Sequence, residues 1–239
     1  HNDLLIKPLF VNLSIKNRIS NLIKKKYIQY LSKNSYSWVV QTELMKIKLH
    51  KYFNIEKTNI LVAPIFETSS QISFHKKKNS FLYISNFSNH KNHKRLYKAF
   101  VNASNRVDSE IELNLTLPKN IFNESFYFNK KYPKNLHIIN HGILNDYKIN
   151  QLYSTSEYLI FPSLNESFGL PLVESVSKKC KVITSNLDYV REVVKPSLTF
   201  NPFSTSSISE TIVYSIKNNL KASEIIVENK IDTFVEYIS

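Results

Sequence analysis

The chain has 239 residues, with 32 Lys and Arg against 19 Asp and Glu, a formal charge of +13, and a hydrophobic fraction of 42%. That length holds one or two domains with a packed core, and no run approaches the roughly 20 apolar residues that a membrane-spanning helix needs. The single cysteine, Cys180, excludes an internal disulfide and fits a reducing cytoplasm; it stands between a helical pattern and a strand pattern, as a core residue does. The positive excess suits nucleic acid, an anionic membrane surface or phosphorylated substrates. No basic stripe is interleaved with the stacking aromatics of an RNA-binding sheet, so no nucleic-acid partner is expected. His1-Asn2-Asp3 is neither an initiator methionine nor a signal peptide, and the chain is expected to be a fragment of a longer protein.

Residues 10–33 place Ile15, Ile19, Leu22, Ile23, Ile28 and Leu31 at helical spacing around Lys24, Lys25 and Lys26. This basic amphipathic helix either packs on a domain or lies on an anionic membrane. Residues 37–42 read as a strand, a helix follows from 43 to 53, and 59–64 reads as a second strand, together a βαβ unit. The polar stretch 67–80, with its lysine run, reads as a linker. Strands are then expected at 81–86, 113–117, 136–140, 158–162, 181–186 and 198–201. The helices between them fall near 92–106, 120–129, 146–155, 169–179 and 187–194, and two more near 205–219 and 223–238. This alternation argues for an α/β fold, a Rossmann-like doubly wound parallel sheet, with a partial second α/β domain at the N-terminus. In such sheets ligands bind beyond the carboxyl ends of the strands.

One of only two glycines in the chain sits where chemistry is expected, in Asn165-Glu166-Ser167-Phe168-Gly169-Leu170-Pro171-Leu172-Val173-Glu174. The order is strand, glycine turn, helix, which points free backbone N–H groups at whatever lies above the strand end. Glu166 falls on the loop and Glu174 on the first turns of the helix, so both can face one ligand. An anion held by amides and hydroxyls held by two carboxylates describe a sugar nucleotide. A glutamate near a helix N-terminus also has a purely local account, a dipole contact of about 0.3–1 kcal/mol.

Two more segments repeat the strand-to-loop pattern. In Ile84-Ser85-Asn86-Phe87-Ser88-Asn89-His90-Lys91-Asn92-His93-Lys94-Arg95-Leu96 the cations either meet an anion or form a solvated helix start. His90 and His93 have a spacing that could suggest a metal, but cationic neighbours oppose it, no carboxylate or cysteine is near in sequence, and no metal site is expected. Asn140-His141-Gly142-Ile143-Leu144 carries the second glycine, which reads as a tight turn at a strand end.

These residues together resemble the retaining GT-B glycosyltransferases of family 4, the glycosyl transferases group 1. The family's Glu-x7-Glu signature is matched by Glu166 and Glu174, with Phe168, Gly169, Leu170 and Pro171 between them. Residues 39–43 and 60–64 look like the end of the family's acceptor-binding domain, and the chain from Phe81 through Tyr189-Val190-Arg191-Glu192-Val193 and Phe200-Asn201-Pro202 looks like its donor-binding domain. The resemblance implies domains at 1–66, a remnant of the acceptor side, and 81–220, the donor side, joined by linker 67–80. Residues 221–239 would be a helix crossing back.

The same resemblance implies a transferase, independent of metal, that moves a hexose from a donor such as a GDP- or UDP-hexose to a glycan or lipid-linked acceptor in cell-surface polysaccharide synthesis. It implies no cofactor, and a cytoplasmic location with peripheral contact at the inner face of the membrane. Glu174 would hold the ribose hydroxyls and Glu166 those of the sugar. Phe168, Gly169 and Leu170 would offer backbone amides to sugar and phosphate, Lys91 would meet the diphosphate, and His141, Gly142 and Ile143 would lie against the base. The chain departs from the family at Asn86, where an arginine is usual, and at Lys179, where a glycine ends the helix. A non-glycine residue in a left-handed conformation costs about 1–2 kcal/mol, so that turn is either strained or rebuilt. Glu192 matches a family glutamate but is equally well explained as a helix-end cap. The short acceptor side leaves two expectations: a fragment inactive by itself, or a non-catalytic nucleotide-binding or scaffold module.

Overall fold

A computed structural model describes residues 15–67, 75–124 and 132–238. Expected residues 10–14 of the first helix, 68–74 of the linker and 125–129 of another helix lie outside this range. The chain divides into two compact units. One comprises residues 1–66, 166–168 and 227–239, the other 67–165 and 169–226.

In the first unit, α1 (Ile15–Asn34) precedes β1 (Trp38–Val40), α2 (Glu43–Phe53) and β2 (Ile60–Val62), and β1 pairs parallel with β2. The expected βαβ unit is therefore present. Thr42 caps α2 by accepting the Met45 N–H at 3.2 Å, and Asn54 closes it in a left-handed conformation. Val40, Leu49, Phe53, Ile55 and Ile60 form a small core, with Ile28 of α1 packed against it. Another side of α1 stays open: Ile19, Ile23, Tyr27 and Tyr30 are all more than half exposed. Among the described residues no helix is long and apolar enough to cross a membrane.

The second unit is built on a six-stranded sheet. Its strands are β3 (Lys77–Tyr83), β4 (Ile111–Leu115), β5 (Leu136–Asn140), β6 (Ser156–Phe161), β7 (Lys181–Ser185) and β9 (Leu198–Phe200). Their spatial order is β5-β4-β3-β6-β7-β9, and every pairing is parallel. Helices α3 (His93–Ser104), α4 (Lys119–Glu124), α5 (Asp146–Thr155), α6 (Leu170–Ser177), α7 (Asp188–Arg191) and α8 (Thr205–Lys217) follow the strands they connect. Central strands buried on both faces need uninterrupted apolar runs, and Tyr158, Leu159, Ile160 and Phe161 of β6 supply one, each at most 2% exposed. Phe81 of β3 stacks on Tyr158 at 4.8 Å and meets Phe100 of α3 edge-on at 5.2 Å. The doubly wound sheet expected from the sequence is the fold of this unit.

Three elements depart from expectation. β3 begins at Lys77, inside the segment read as linker, because Asn79 and Ser80 are buried despite their polarity and bond to Glu110, Glu157 and Glu112. The helix expected at 187–194 is only α7, since Val194 enters a short strand, β8 (Val194–Lys195). The single helix expected at 223–238 is β10 (Glu224–Ile225), antiparallel to β8, followed by α9 (Ile231–Ile238). Glu224 pairs with Lys195 at 3.3 Å, and Asn229 starts α9 by accepting the Ile231 N–H, so a cross-strand pair and a cap outweigh the helical periodicity. In the first unit the Lys230 N–H donates to Pro64 O at 2.7 Å and Asn229 Nδ2 to Phe66 O at 2.6 Å.

Lys179 resolves the alternative left open by the sequence. It is left-handed, with φ 59°. The Cys180 N–H donates to Ser175 O and the Lys179 N–H to Val176 O, both at 2.9 Å, the bond pair that a glycine ordinarily supports at a helix end. The turn is kept, strained, with the exposed lysine in place of glycine. Lys179→Gly is therefore expected to raise the unfolding free energy by about 1 kcal/mol, somewhat less than the full left-handed penalty because glycine gains entropy in the unfolded chain. Urea unfolding measures it, and an unchanged or lower midpoint at equal slope contradicts the strain.

Candidate functional site

Counted from β3, the sheet runs in the order 3-2-1-4-5-6, and the direction of winding reverses between β3 and β6. The crevice outside the carboxyl ends of two such strands is the standard ligand position in open parallel sheets. The chain places there the loop after β3, which carries Asn86 and Lys91, and the loop after β6, which leads to Gly169.

The two loops are fastened together. The Leu164 N–H donates to His90 O at 2.7 Å. Asn92, buried and left-handed at φ 62°, donates from Nδ2 to Pro162 O at 3.1 Å and to Pro202 O at 2.8 Å. One side chain thus joins the loops after β3, β6 and β9. Asn92 Oδ1 also accepts from Arg95 NH1 at 3.0 Å, so Arg95 is engaged in the loop itself. Lys91 is held at its carbonyl by Tyr83 Oη at 2.8 Å, with Nζ 5.7 Å from the centre of the Phe161 ring. Asn86 is exposed. Phe87, Ser88, Asn89, Asn92, His93, Lys94 and Arg95 line a pocket of about 210 Å³.

His93, the other histidine of this loop, is buried. It is 3% exposed and lies between the rings of Tyr83 and Phe87, with Nε2 3.0 Å from Ser85 Oγ. Burial, with Lys91 and His90 nearby, pushes its pKa down to about 4, so the imidazole is neutral at physiological pH. Among the described residues no group of three His, Cys, Asp or Glu is placed to hold a metal ion.

Gly169 takes φ 89°, a conformation that favours glycine, and a Cβ there would crowd Leu172 Cδ1 at 3.0 Å. It caps α6, whose early Pro171 has no N–H to leave unpaired, and the Leu172 N–H returns to Gly169 O at 2.9 Å. Glu174 stands in the second turn of α6. Its Oε2 accepts the Tyr153 hydroxyl at 2.7 Å. Burial raises the pKa of its carboxyl, the Tyr153 bond opposes the rise, and Asp146 adds to it.

The third loop lies at the end of β5. Gly142 is buried at φ 75°, while Ile143 is 82% exposed. His141 meets Asn114 Oδ1 through Nε2 at 2.7 Å. Asn114 donates its own amide to Ser80 Oγ and to Glu112 Oε1, the other oxygen of that carboxylate pairing with Lys77, so Oδ1 can only accept and His141 Nε2 must carry the proton. Burial lowers the His141 pKa.

Glu166 and Phe168 belong to the first unit. There Thr42 Oγ1 donates to Ser167 O at 3.3 Å, and the Phe168 ring, 1% exposed, stacks on Phe66 at 5.9 Å. The second unit holds Asn86, Lys91, His141, Gly142, Ile143, Gly169, Leu170 and Glu174, all on loops or helix starts after β3, β5 and β6. Sequence reasoning gave no role to Asn92 and Tyr153. Asn92 had a signal, since Asn tolerates the left-handed conformation before a helix; Tyr153 had none beyond its place in an apolar helical pattern.

The second unit is thus an open, doubly wound parallel α/β sheet, with a cationic loop and a glycine turn leaving the two strands at its switch point. Residues 65–232 match the family described as Glycosyl transferases group 1, and the chain belongs to that family. It is 32% identical over 79 residues to the O-antigen chain mannosyltransferase B of Escherichia coli, a match covering 33% of this chain and 21% of that one. Its fold is similar to the crystal structure of TarM (TM-score 0.65, 14% identity, 79% of this chain and 38% of that one). It is also similar to Anabaena Alr3699/HepE in complex with UDP and glucose (TM-score 0.62, 12% identity, 83% and 58%). The chain thus spans about a fifth of the length of its curated relative. The GT-B resemblance read from Glu166, Glu174 and the glycine turn is borne out at the level of family and fold.

Proposed function

We propose that this chain carries the donor site of a retaining, metal-independent glycosyltransferase, which moves a hexose from a UDP- or GDP-hexose to a glycan or lipid-linked acceptor. The observation that supports the reading is topological: the loop with Lys91 and the glycine turn that leads to Glu174 leave the neighbouring strands β3 and β6, where the winding reverses. The relative named as an O-antigen chain mannosyltransferase and the fold neighbour holding UDP and glucose support donor and acceptor classes of this kind.

In this reading Glu174 accepts the ribose hydroxyls. Phe168, Gly169 and Leu170 offer amides to sugar and phosphate, His141, Gly142 and Ile143 border the base, and Glu166 holds the sugar. As the bond from the sugar to the diphosphate breaks, negative charge collects on the leaving phosphate. Lys91 interacts with that charge more strongly in the transition state than in the ground state, which is what accelerates the step. The acceptor attacks the face from which the leaving group departs, and a phosphate oxygen takes its proton, so no protein nucleophile is needed. Lys91, Lys94 and Arg95 supply positive charge on this side, and the sequence has no Asp-x-Asp pair for a metal–diphosphate complex.

Calorimetric titration with UDP- and GDP-hexoses tests the reading, and saturable binding of neither would sink it. Glu166 gives a sharper check, because its partner is the sugar. Glu166→Ala is expected to leave UDP or GDP affinity within about twofold of the parent and to weaken the nucleotide sugar by about tenfold, the scale of one hydrogen bond to a charged group. Equal losses for both ligands would reject this division of roles.

A further inference from the structure

Tyr153 lies in the last turns of α5, 1% exposed, and is held at both ends. Its hydroxyl donates to Glu174 Oε2 at 2.7 Å. Its carbonyl accepts from Lys76 Nζ at 2.6 Å and from Cys180 Sγ at 3.0 Å. Lys76 and Cys180 also contact each other, at 3.3 Å. The backbone of Tyr153 is therefore anchored, and the ring, buried at 1% exposure, has no open space to swing into. A hydroxyl buried this deeply is out of reach of bulk solvent, so breaking the bond to Glu174 leaves a buried donor unsatisfied. Burial and the adjacent carboxylate hold the phenol protonated far beyond physiological pH, which keeps it a donor at all times.

A glutamate on a helix surface samples several rotamers. One whose first oxygen is tied to a buried phenol presents the second in a single direction. A carboxylate that must accept from two neighbouring hydroxyls gains from that fixity, because no side-chain freedom is lost when the ligand arrives. We infer that Tyr153 is a positioning residue for nucleotide recognition: it locks Glu174 through Oε2 so that Oε1 is aimed at the ribose diol of the donor. The inference rests on the donor-site reading above and adds a residue that touches no ligand atom.

The experiment compares parent, Tyr153→Phe and Glu174→Ala in calorimetric titrations with UDP and GDP. The tighter of the two is then matched by its 2′,3′-dideoxy analogue, which lacks the diol. Tyr153→Phe keeps the ring and its packing; Tyr153→Met, whose flexible chain fills much of the same space, is the second variant should the first fail to fold, and thermal unfolding reports on both. The expected result is that removing the hydroxyl weakens the ribonucleotide about tenfold and leaves the dideoxy analogue within about twofold of the parent. Equal weakening of both ligands would show a merely structural tyrosine and overturn the inference, as would ribonucleotide affinity equal to the parent's. Glu174→Ala separates the two levels. If it retains the parent's preference for the ribonucleotide, the diol reading of Glu174 fails and the inference with it. If it loses that preference while Tyr153→Phe keeps it, only the positioning role fails.

Discussion

Replacing Lys91 by alanine is expected to lower turnover by about 100-fold or more, the usual effect of removing one transition-state donor, roughly 2.7–4 kcal/mol. The structure sharpens the expectation, because Arg95, another cation of this loop, is less well placed to compensate. Arg95 is committed to Asn92 Oδ1 at 3.0 Å, and Asn86 is a neutral amide exposed to solvent. A neutral amide gains little as charge develops on a leaving phosphate, so Asn86→Ala should cost far less than Lys91→Ala. The loss should appear in kcat more than in KM, since the interaction strengthens as the bond breaks. Near-normal turnover by Lys91→Ala would shift the neutralising role to Lys94, Arg95 or a metal ion.

Glu174→Ala is expected to weaken binding of the nucleoside diphosphate itself by about 1.5–3 kcal/mol, the range for hydrogen bonds to a charged group. A pH dependence accompanies it. Burial is the largest influence on this carboxyl and raises its pKa, the Tyr153 bond lowers it, and Asp146 raises it again. The carboxylate is the better acceptor, so affinity should be full above the raised pKa and fall as pH drops through it, earlier than for an ordinary glutamate. Glu174→Ala should flatten that profile. Equal affinity of parent and variant for free UDP and GDP would remove the role.

Much of this arrangement could be read from the chain because it is local. The apolar run of β6, the glycine before α6 and the 146–155 pattern of α5 each depend on neighbours a few residues away, and each falls where expected. What stayed hidden depends on distance along the chain. Asn92 meets carbonyls 70 and 110 residues later, and Tyr153 meets Glu174 across 21. No periodicity marks such pairs, because the partners share a location only once the sheet has set its strand order. The misread C-terminal stretch has the same origin: Glu224 and Ile225 follow a helical pattern, but β8 offers them a cross-strand partner that the local pattern could not reveal.

The Asn92 bonds have a consequence for kinetics. A single buried amide ties together the backbone behind β3, β6 and β9, so this side of the crevice has its shape before any ligand arrives. If the donor-site reading holds, these three loops do not have to condense around the nucleotide, because their ordering was completed when the chain folded. Capture on this side then becomes a matter of encounter, governed by diffusion and by the field of the protein. A chain with a formal charge of +13 attracts a polyanion from a distance, and added salt would slow that approach by screening it.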